Sequence, residues 1–158
     1  MPRQYVIRTG AVTLVAATTK TVIELPTSAT AGLTITGIEL CFSRSVITTT
    51  QASIEWNTFT GSGTGTTLTP QQYGTGQSIA AIVGTVKVND SVEPTGLAAG
   101  GLPSWRIPLP GMYTVLYPMG REMWQEASVN RCLRINQQVV SGTPAPQGEV
   151  RVNLYFEQ

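Results

Sequence analysis

The sequence contains no histidine, and only 12% of its residues carry a charge. Without histidine the chain lacks the commonest general base, the commonest metal ligand and one member of the usual Ser-His-Asp arrangement. A cysteine nucleophile would need another activating group, and the only lysines, Lys20 and Lys87, lie in strand-like segments. No spacing singles out two carboxylates for glycosidase chemistry. The sequence therefore favours a protein that is not an enzyme and that uses no metal or cofactor.

A strong charge imbalance is also missing, because the formal net charge is only +1. The basic residues are spread along the chain, whereas proteins that bind nucleic-acid phosphates usually carry a basic patch or a high pI. No apolar run approaches the roughly 20 residues of a membrane helix. The first residues lack the apolar core of a secretory signal. We therefore expect no nucleic-acid partner, no membrane partner and synthesis in a cytosol.

Cysteine is rare, and its two copies, Cys41 and Cys132, are far apart in the chain. A zinc site needs four ligands in close-spaced pairs, so these two residues do not form one. Each lies in a strand-like run, where a free cysteine packs as a small hydrophobic residue. The sequence predicts that they are not bonded to each other; a cross-strand or intersubunit disulfide is the alternative.

Alternation of apolar and polar residues is the dominant pattern of the 158-residue chain. It is clearest near the C-terminus, where Val150, Val152, Leu154 and Phe156 share one parity, which predicts a buried central strand. A similar run at 132–139 precedes it, and the two are expected to form an antiparallel pair joined by a long loop. The length suits one domain with one core.

Eight or nine such strands, separated by turn residues, predict an all-β fold with essentially no helix. The fold class expected is a single antiparallel β-sandwich of jelly-roll type. Residues 11–158 are assigned to the sandwich, and residues 1–10 to an N-terminal arm or edge strand. Only 122–128 resembles a single helical turn. At Gly37 the apolar parity reverses, which predicts a β-bulge.

Two loops stand out between the predicted strands. The Gly- and Thr-rich run at 60–67 carries little side-chain information and is expected to be flexible. The excursion at 70–81 contains one aromatic residue, Tyr73, and long loops in compact domains tend to be functional or disordered.

The three tryptophans have different contexts. Trp56 and Trp105 lie in strand-like runs and are expected to pack in the core. Trp124 lies in a polar segment beside Arg121 and Glu122, where it is either an interface anchor or a lid over one end of the sandwich.

The N-terminal segment adds further candidate contacts. Arg3, Tyr5 and Arg8 precede the first clear sandwich strand and are residue types suited to docking on a neighbour. With Tyr73, Arg121, Glu122 and Trp124 they make up the predicted interface.

Several short motifs in the second half of the chain resemble those of a protein family. They are a Thr-Pro step after a flexible loop, a Glu-Pro-Thr segment, a Ser-Trp-Arg strand, a Tyr-Pro-Met-Gly-Arg-Glu turn and a final alternating strand, at 67–70, 93–95, 104–108, 117–122 and 150–157. Together they resemble small proteins of tailed-phage genomes and prophage-like regions.

The resemblance implies a virion structural component, similar to the β-sandwich cement or decoration proteins of capsid shells. It implies binding to a major capsid protein, a location on the capsid surface after synthesis in the host cytoplasm, and a homotrimer at local threefold positions. It transfers no catalytic residue.

Other functions remain open from the residues alone. A tail, baseplate or head-fibre component has the same composition. Jelly rolls also serve as lectins, and Tyr73, Tyr113 and Trp124 are the aromatic residues that a carbohydrate-binding module would expose.

Overall fold

The computed structural model describes residues 3–15, 18–43, 51–74, 85–99, 104–108, 111–138 and 148–158; for residues 137 and 138 it describes the backbone only. These residues contain fourteen β-strands and no helix, and every strand pair is antiparallel. None of them belongs to a helix long and apolar enough to cross a membrane.

The strands form two sheets of seven. Sheet A contains β1 (Gln4–Arg8), β2 (Val12–Leu14), β4 (Leu33–Ser43), β7 (Gln71–Gln72), β11 (Gly111–Leu116), β12 (Met123–Gln125) and β14 (Gly148–Glu157). Sheet B contains β3 (Thr19–Leu25), β5 (Gln51–Thr58), β6 (Thr64–Leu68), β8 (Val86–Val92), β9 (Ala98–Ala99), β10 (Trp105–Pro108) and β13 (Arg131–Gln138).

Eight of the strands define the topology. Sheet A has the order β11-β4-β14-β1, and sheet B has the order β10-β5-β13-β3. In these two sheets β1 pairs with β14, β3 with β13, β4 with β11 and β5 with β10. In chain order, the first of the eight strands therefore pairs with the last, the second with the seventh, and so on inward. This nested pairing is a jelly roll, so the predicted sandwich is confirmed.

The core lies between the two sheets and follows the alternation of the strands. Val150, Val152, Leu154 and Phe156 are fully buried in β14, which lies between β4 on one side and β1 and β2 on the other, as the sequence predicted. Trp56 is buried in the core as expected, and Trp105 packs against it half-buried.

The reversal of parity in β4 is a β-bulge. Tyr155 of β14 lies opposite Gly37, but the next residue, Phe156, lies opposite Ile35. Thr36 is therefore the extra residue, and the apolar side chains on both sides of it face the core. The bulge that Gly37 predicted is confirmed.

Four expectations from the sequence are wrong. The described residues form fourteen strands rather than eight or nine, because six further strands extend the jelly roll. β13 and β14 do not pair, since they lie in opposite sheets. Within 122–128, Met123–Gln125 is a strand rather than part of a helical turn. The Gly-rich run at 60–67 is not a free loop, because Thr64–Leu68 pairs with β8.

Sheet B carries a polar cluster that is covered by the β6–β8 extension. Glu24 is fully buried and accepts hydrogen bonds from the Gly63 N–H (2.5 Å) and the Ser62 hydroxyl. Lys87 Nζ donates to the Gly63 carbonyl at 2.7 Å. Asp90, which is the only aspartate of the chain, is buried against Glu24. These bonds hold the Gly-rich segment in place.

The two cysteines occupy different sheets. Cys41 is exposed on β4, and Cys132 is buried on β13. Burial raises the pKa of the Cys132 thiol to about 12, and the carboxylates around it contribute in the same direction.

Candidate interaction surface

The outward-facing side of sheet A presents rows of side chains that follow from the strand register. Thr114, Glu39, Asn153 and Arg8 lie on adjacent strands in one row, because each pair is matched in the ladders of β11, β4, β14 and β1. Adjacent strands are about 4.8 Å apart, so such a row spans the sheet and brings residues distant in sequence together.

One row has an exposed aromatic residue at each end. The row begins at Trp124 on β12 and continues through its register partners Thr34 on β4, Glu157 on β14 and Gln4 on β1. At its other end, the Gln4 carbonyl accepts a hydrogen bond from the Tyr73 N–H at 2.9 Å. The Gln4 amide also donates to the Glu157 carboxylate at 2.8 Å. The structure therefore places Tyr73 and Trp124 on one side of the sheet, about four strand spacings or roughly 19 Å apart.

Among the described residues no strand lies on the outer side of β11, and this edge of the sheet is apolar. Along β11 the outward residues Met112 and Leu116 are 75% and 71% exposed, and the turn after it presents Met119 at 96% exposure. Trp124 on β12 continues the edge at 57% exposure. We refer to Met112, Leu116, Met119 and Trp124 as the β11–β12 edge. Several exposed apolar side chains along one edge of a sheet make a candidate interaction site.

Trp124 is held in place by the backbone beneath it. Its indole lies over Gly32, where an added Cβ would lie 2.9 Å from the ring carbon Cζ2. The preceding turn is closed by the Arg121 N–H, which donates to the Pro118 carbonyl at 2.8 Å. The Glu122 carboxylate accepts the Gly120 N–H at 2.6 Å. The indole is therefore presented on an ordered support rather than on a loose loop.

A cavity of about 350 Å³ opens next to this row, and we call it the tyrosine pocket. Its lining residues are Gln4, Tyr5, Thr36, Glu39, Tyr73, Leu116, Tyr117 and Tyr155. The rings of Tyr73 and Tyr155 meet edge to face, with centroids 5.7 Å apart and planes at 82°. Glu39 Oε2 accepts hydrogen bonds from the Tyr155 hydroxyl (2.8 Å) and from Asn153 Nδ2 (2.9 Å).

Two tyrosine hydroxyls of the pocket, those of Tyr155 and Tyr117, have a raised pKa. The pKa of Tyr155 is raised by burial, by its hydrogen bond to Glu39 and by the charge of that carboxylate, while Arg8 opposes the shift. Burial raises the pKa of Tyr117 to about 12. At neutral pH both groups are neutral hydroxyls, and the Glu39 carboxylate has a donor fixed on one oxygen.

A second cavity, of about 320 Å³, adjoins the first across Glu39. Besides Glu39 it is lined by Arg8, Gly10, Cys41, Met112, Arg151 and Asn153. Two arginines, Arg8 and Arg151, therefore lie beside the carboxylate that borders the tyrosine pocket.

The N-terminal candidates have different positions. Gln4–Arg8 is a strand with neighbours on both sides, β14 and β7. Tyr5 is only 3% exposed and stacks on Phe156 at 5.3 Å, so in this fold it is a core residue and not a docking residue. Arg3 and Arg8 are exposed at the two ends of the strand, where Arg8 Nη1 donates to Gln71 Oε1 at 3.4 Å.

The aromatic set expected of a lectin does not assemble. Tyr73 lines the tyrosine pocket, but Tyr113 packs edge-on against Phe42 and its hydroxyl donates to the Pro108 carbonyl. Trp124 lies at the other end of the row from Tyr73. In place of that set, the structure brings Tyr73 together with Tyr155 and Glu39.

Sequence reasoning placed Glu39 and Tyr155 on the polar parity of their strands but did not bring them together, and it missed Met112 and Leu116 as exposed residues. Alternation in 111–116 indicated a strand but not which parity faces solvent, since Met and Leu share parity with Thr114. For Glu39 and Tyr155 the polar parity was readable, but their proximity depends on the pairing of β4 with β14. The described residues contain no group of three or more Cys, Asp or Glu placed to hold a metal ion.

Comparison with known proteins gives solved structures only. No family model matches the chain, and no curated protein matches it. It is similar to a structure of infectious bursal disease virus, Gt strain, with 15% identity, a TM-score of 0.41 and coverage of 99% of this chain and 33% of that one.

Two further structures of the same virus are similar. A mutant VP2 protein in derived T=1 particles has 13% identity, a TM-score of 0.36 and coverage of 99% of this chain and 36% of that one. A crystal structure of a VP2 subviral particle has 17% identity, a TM-score of 0.23 and coverage of 99% of this chain and 41% of that one. The chain spans about a third of the length of the first two. At these scores the similarity does not bear on function.

Proposed function

We propose that the chain is a non-enzymatic structural protein of a phage particle that binds the outside of the capsid shell as a decoration, or cement, protein. The observation that carries the proposal is the exposed apolar β11–β12 edge of sheet A. The phage-family resemblance of the sequence motifs and the absence of histidine from the chain agree with it. Its partners are then the major capsid protein and further copies of itself.

The chemistry of the edge suits a protein partner. Methionine, tryptophan and arginine are enriched at the centres of protein interfaces, and the edge combines Met119 and Trp124 with the neighbouring Arg121. The strand Gly111–Leu116 carries no charge that would repel a neighbouring strand. Burying such an edge at joints between capsid subunits would stabilise the shell, with a standard interface of roughly 1,600 Å² per copy.

Of the residues expected at the interface, Trp124, Arg121 and Glu122 belong to this edge and its turn. Arg3, Arg8 and Tyr73 lie toward the opposite edge of sheet A, which a second copy would meet in a closed ring. Such a head-to-tail contact between the two edges builds a cyclic oligomer, and a trimer is the size we propose.

The test is the amount of the chain in purified particles. Quantitative mass spectrometry of particles should find hundreds of copies per particle, and immunogold labelling should place them on the head. A few copies, or labelling of the tail, would assign the chain to a tail, baseplate or head fibre instead. Light scattering of the free protein tests the trimer.

A variant pair tests the edge itself. Trp124→Ala and Met119→Ser should weaken co-sedimentation with undecorated capsids without changing the melting temperature, because both side chains are exposed. Val92→Ser is the matched control, since Val92 is an exposed apolar residue on sheet B. Equal co-sedimentation of all variants would show that the edge is not the docking surface.

A further inference from the structure

We propose that the tyrosine pocket binds a neutral sugar ring, as part of a mono- or disaccharide or of a longer glycan. This is a capability of the free chain that does not depend on attachment to a capsid; in the proposed ring a second copy would meet the edge on which Tyr73 lies. The argument rests on the shape of the pocket, on its one carboxylate and on the charges beside it.

The shape is a corner formed by two aromatic rings. Tyr73 and Tyr155 are nearly perpendicular, and Tyr73 is 54% exposed, so part of this side chain is accessible to a ligand. Leu116 provides an exposed apolar group on the β11 side. The C–H faces of a sugar ring pack on such apolar and aromatic groups. A volume of about 350 Å³ is near the lower end of the range for ligand pockets, which suits a small ring system.

The polar group of the pocket is an oriented acceptor. Both hydrogen bonds that hold Glu39, from the Tyr155 hydroxyl and Asn153 Nδ2, end on the same oxygen, Oε2. The carboxylate is thereby fixed before a ligand arrives, which lowers the ordering cost of binding. Hydroxyl groups that donate to a carboxylate form strong, charge-assisted hydrogen bonds. Thr36 and Gln4 add neutral polar groups at the rim.

The neighbouring charges select a neutral ligand over an ion. A tyrosine corner with a carboxylate is also the arrangement that binds ammonium groups. Here, however, Arg8 and Arg151 line the cavity on the other side of Glu39. Their two positive charges offset Glu39 and Glu157, which is hydrogen-bonded to Gln4, so the surroundings do not favour a cation. Glu39 itself opposes an anion. A ligand with many hydroxyls and no charge satisfies the acceptor without meeting either repulsion.

Saturation-transfer-difference NMR tests the proposal on the full chain. The probes are glucose, galactose, mannose, N-acetylglucosamine, lactose and maltose, with choline as the cationic probe. We expect saturation transfer to the ring protons of at least one sugar and none to choline. Transfer to choline alone, or to no sugar, would overturn the proposal.

Variants locate the binding. Tyr73→Ala should lower the affinity for the binding sugar about tenfold, which corresponds to about 1.4 kcal/mol. Glu39→Gln, which removes the charge and half of the acceptor capacity, should lower it as well. Trp124→Ala is the matched control, because this exposed aromatic residue does not line the pocket. Equal loss in Trp124→Ala, or retained affinity in Tyr73→Ala, would place the sugar elsewhere. Capsid binding by the same variants is a separate readout, so failure of one proposal leaves the other standing.

Discussion

The carboxyl groups of Glu24 and Asp90 lie against each other beneath Gly63. An added Cβ at Gly63 would lie 2.9 Å from Glu24 Oε1 and 2.9 Å from Asp90 Oδ2. Both residues are buried, and within the described part of the chain no N–H or hydroxyl group donates to either Asp90 oxygen. Two buried carboxylates in contact are stable only when one of them carries a proton.

This contact predicts that stability falls as the pH rises. Burial raises the pKa of Asp90 to about 8. The hydrogen bond to Glu24 and the negative charges of Glu24 and Glu93 raise it further, whereas the positive charge of Lys87 lowers it. A raised folded-state pKa means that the folded protein holds a proton that the unfolded chain releases. The melting temperature should therefore decrease steadily between about pH 4 and pH 8.

Asp90→Asn removes the titrating group and keeps its shape. At pH 7.5 we expect a gain of about 1 kcal/mol, seen as a melting temperature about 2–4 °C higher, and a weaker dependence on pH. Thermal unfolding at pH 5 and pH 8.5 measures both effects. Glu55→Gln, a carboxyl-to-amide change on β5, is the control. A wild-type melting temperature that does not fall between these pH values would refute the shared proton.

Glycine at position 63 is required by the same contact. A methyl group there would also collide with the Val92 carbonyl oxygen, which is backbone and cannot move aside freely. Gly63→Ala should cost about 1–3 kcal/mol in urea unfolding. Thr64→Ala, an exposed change on the adjoining strand, should cost less than about 0.5 kcal/mol. Equal stability of the two variants would contradict the close approach.

Val152 tests the register of the central strand. Val152→Asp places an unpaired charge in the core and should destabilise the protein by several kcal/mol. The neighbouring side chain points to solvent, so Arg151→Asp should have a much smaller effect. If Val152→Asp melts at the wild-type temperature, the inward parity of β14 is wrong.

The N-terminal segment should be necessary for folding. It contributes Tyr5 and Ile7 to the core and is hydrogen-bonded to β14 along its length. Deletion of residues 2–8 should therefore abolish cooperative unfolding measured by circular dichroism. A deletion variant that unfolds cooperatively near the wild-type temperature would restore the interpretation of the segment as an arm.

The two thiols should differ in reactivity. Cys41 is exposed and should react with a maleimide in the native protein. Cys132 is buried and has a raised pKa, so it should react only after unfolding. Mass spectrometry of labelled protein, with Cys41→Ser as the control, counts the modified sites. Labelling of native Cys41→Ser would contradict the burial of Cys132.

Local patterns predicted the parts of the fold that depend on one strand. The inward parity of Val152 and the bulge at Gly37 both follow from alternation within a single run of residues. The sequence did not predict that β13 and β14 lie in different sheets, because the partner of a strand is chosen among strands that are distant in the sequence. The strand Thr64–Leu68 was missed because its stability comes from Glu24, which binds Ser62 and Gly63 across 38 and 39 positions.

The candidate site shows the same difference between features that depend on one segment and features that depend on strand pairing. Trp124 was found as an exposed aromatic residue from the polar segment around it. The corner made by Tyr73 and Tyr155 was not, since Tyr73 follows β7 and Tyr155 belongs to β14, and the two rings meet only because β1 lies between these strands.

The nested pairing of the jelly roll has a consequence for how the chain reaches this state. The bond between Gln4 and Glu157 joins residues 153 positions apart, and Asn136 donates to Thr19 across 117 positions. On a ribosome, β1 and β3 therefore lack their longest partners, β14 and β13, until nearly the whole chain has emerged, although the shorter pairings with β7 and β8 become available earlier. Folding of this kind is slow, because large loops must close before native contacts form. Unpaired strands remain available to other chains during that interval, and the scarcity of charge offers little repulsion between them. The yield of folded protein should consequently depend on synthesis rate and on chaperones more than on final stability.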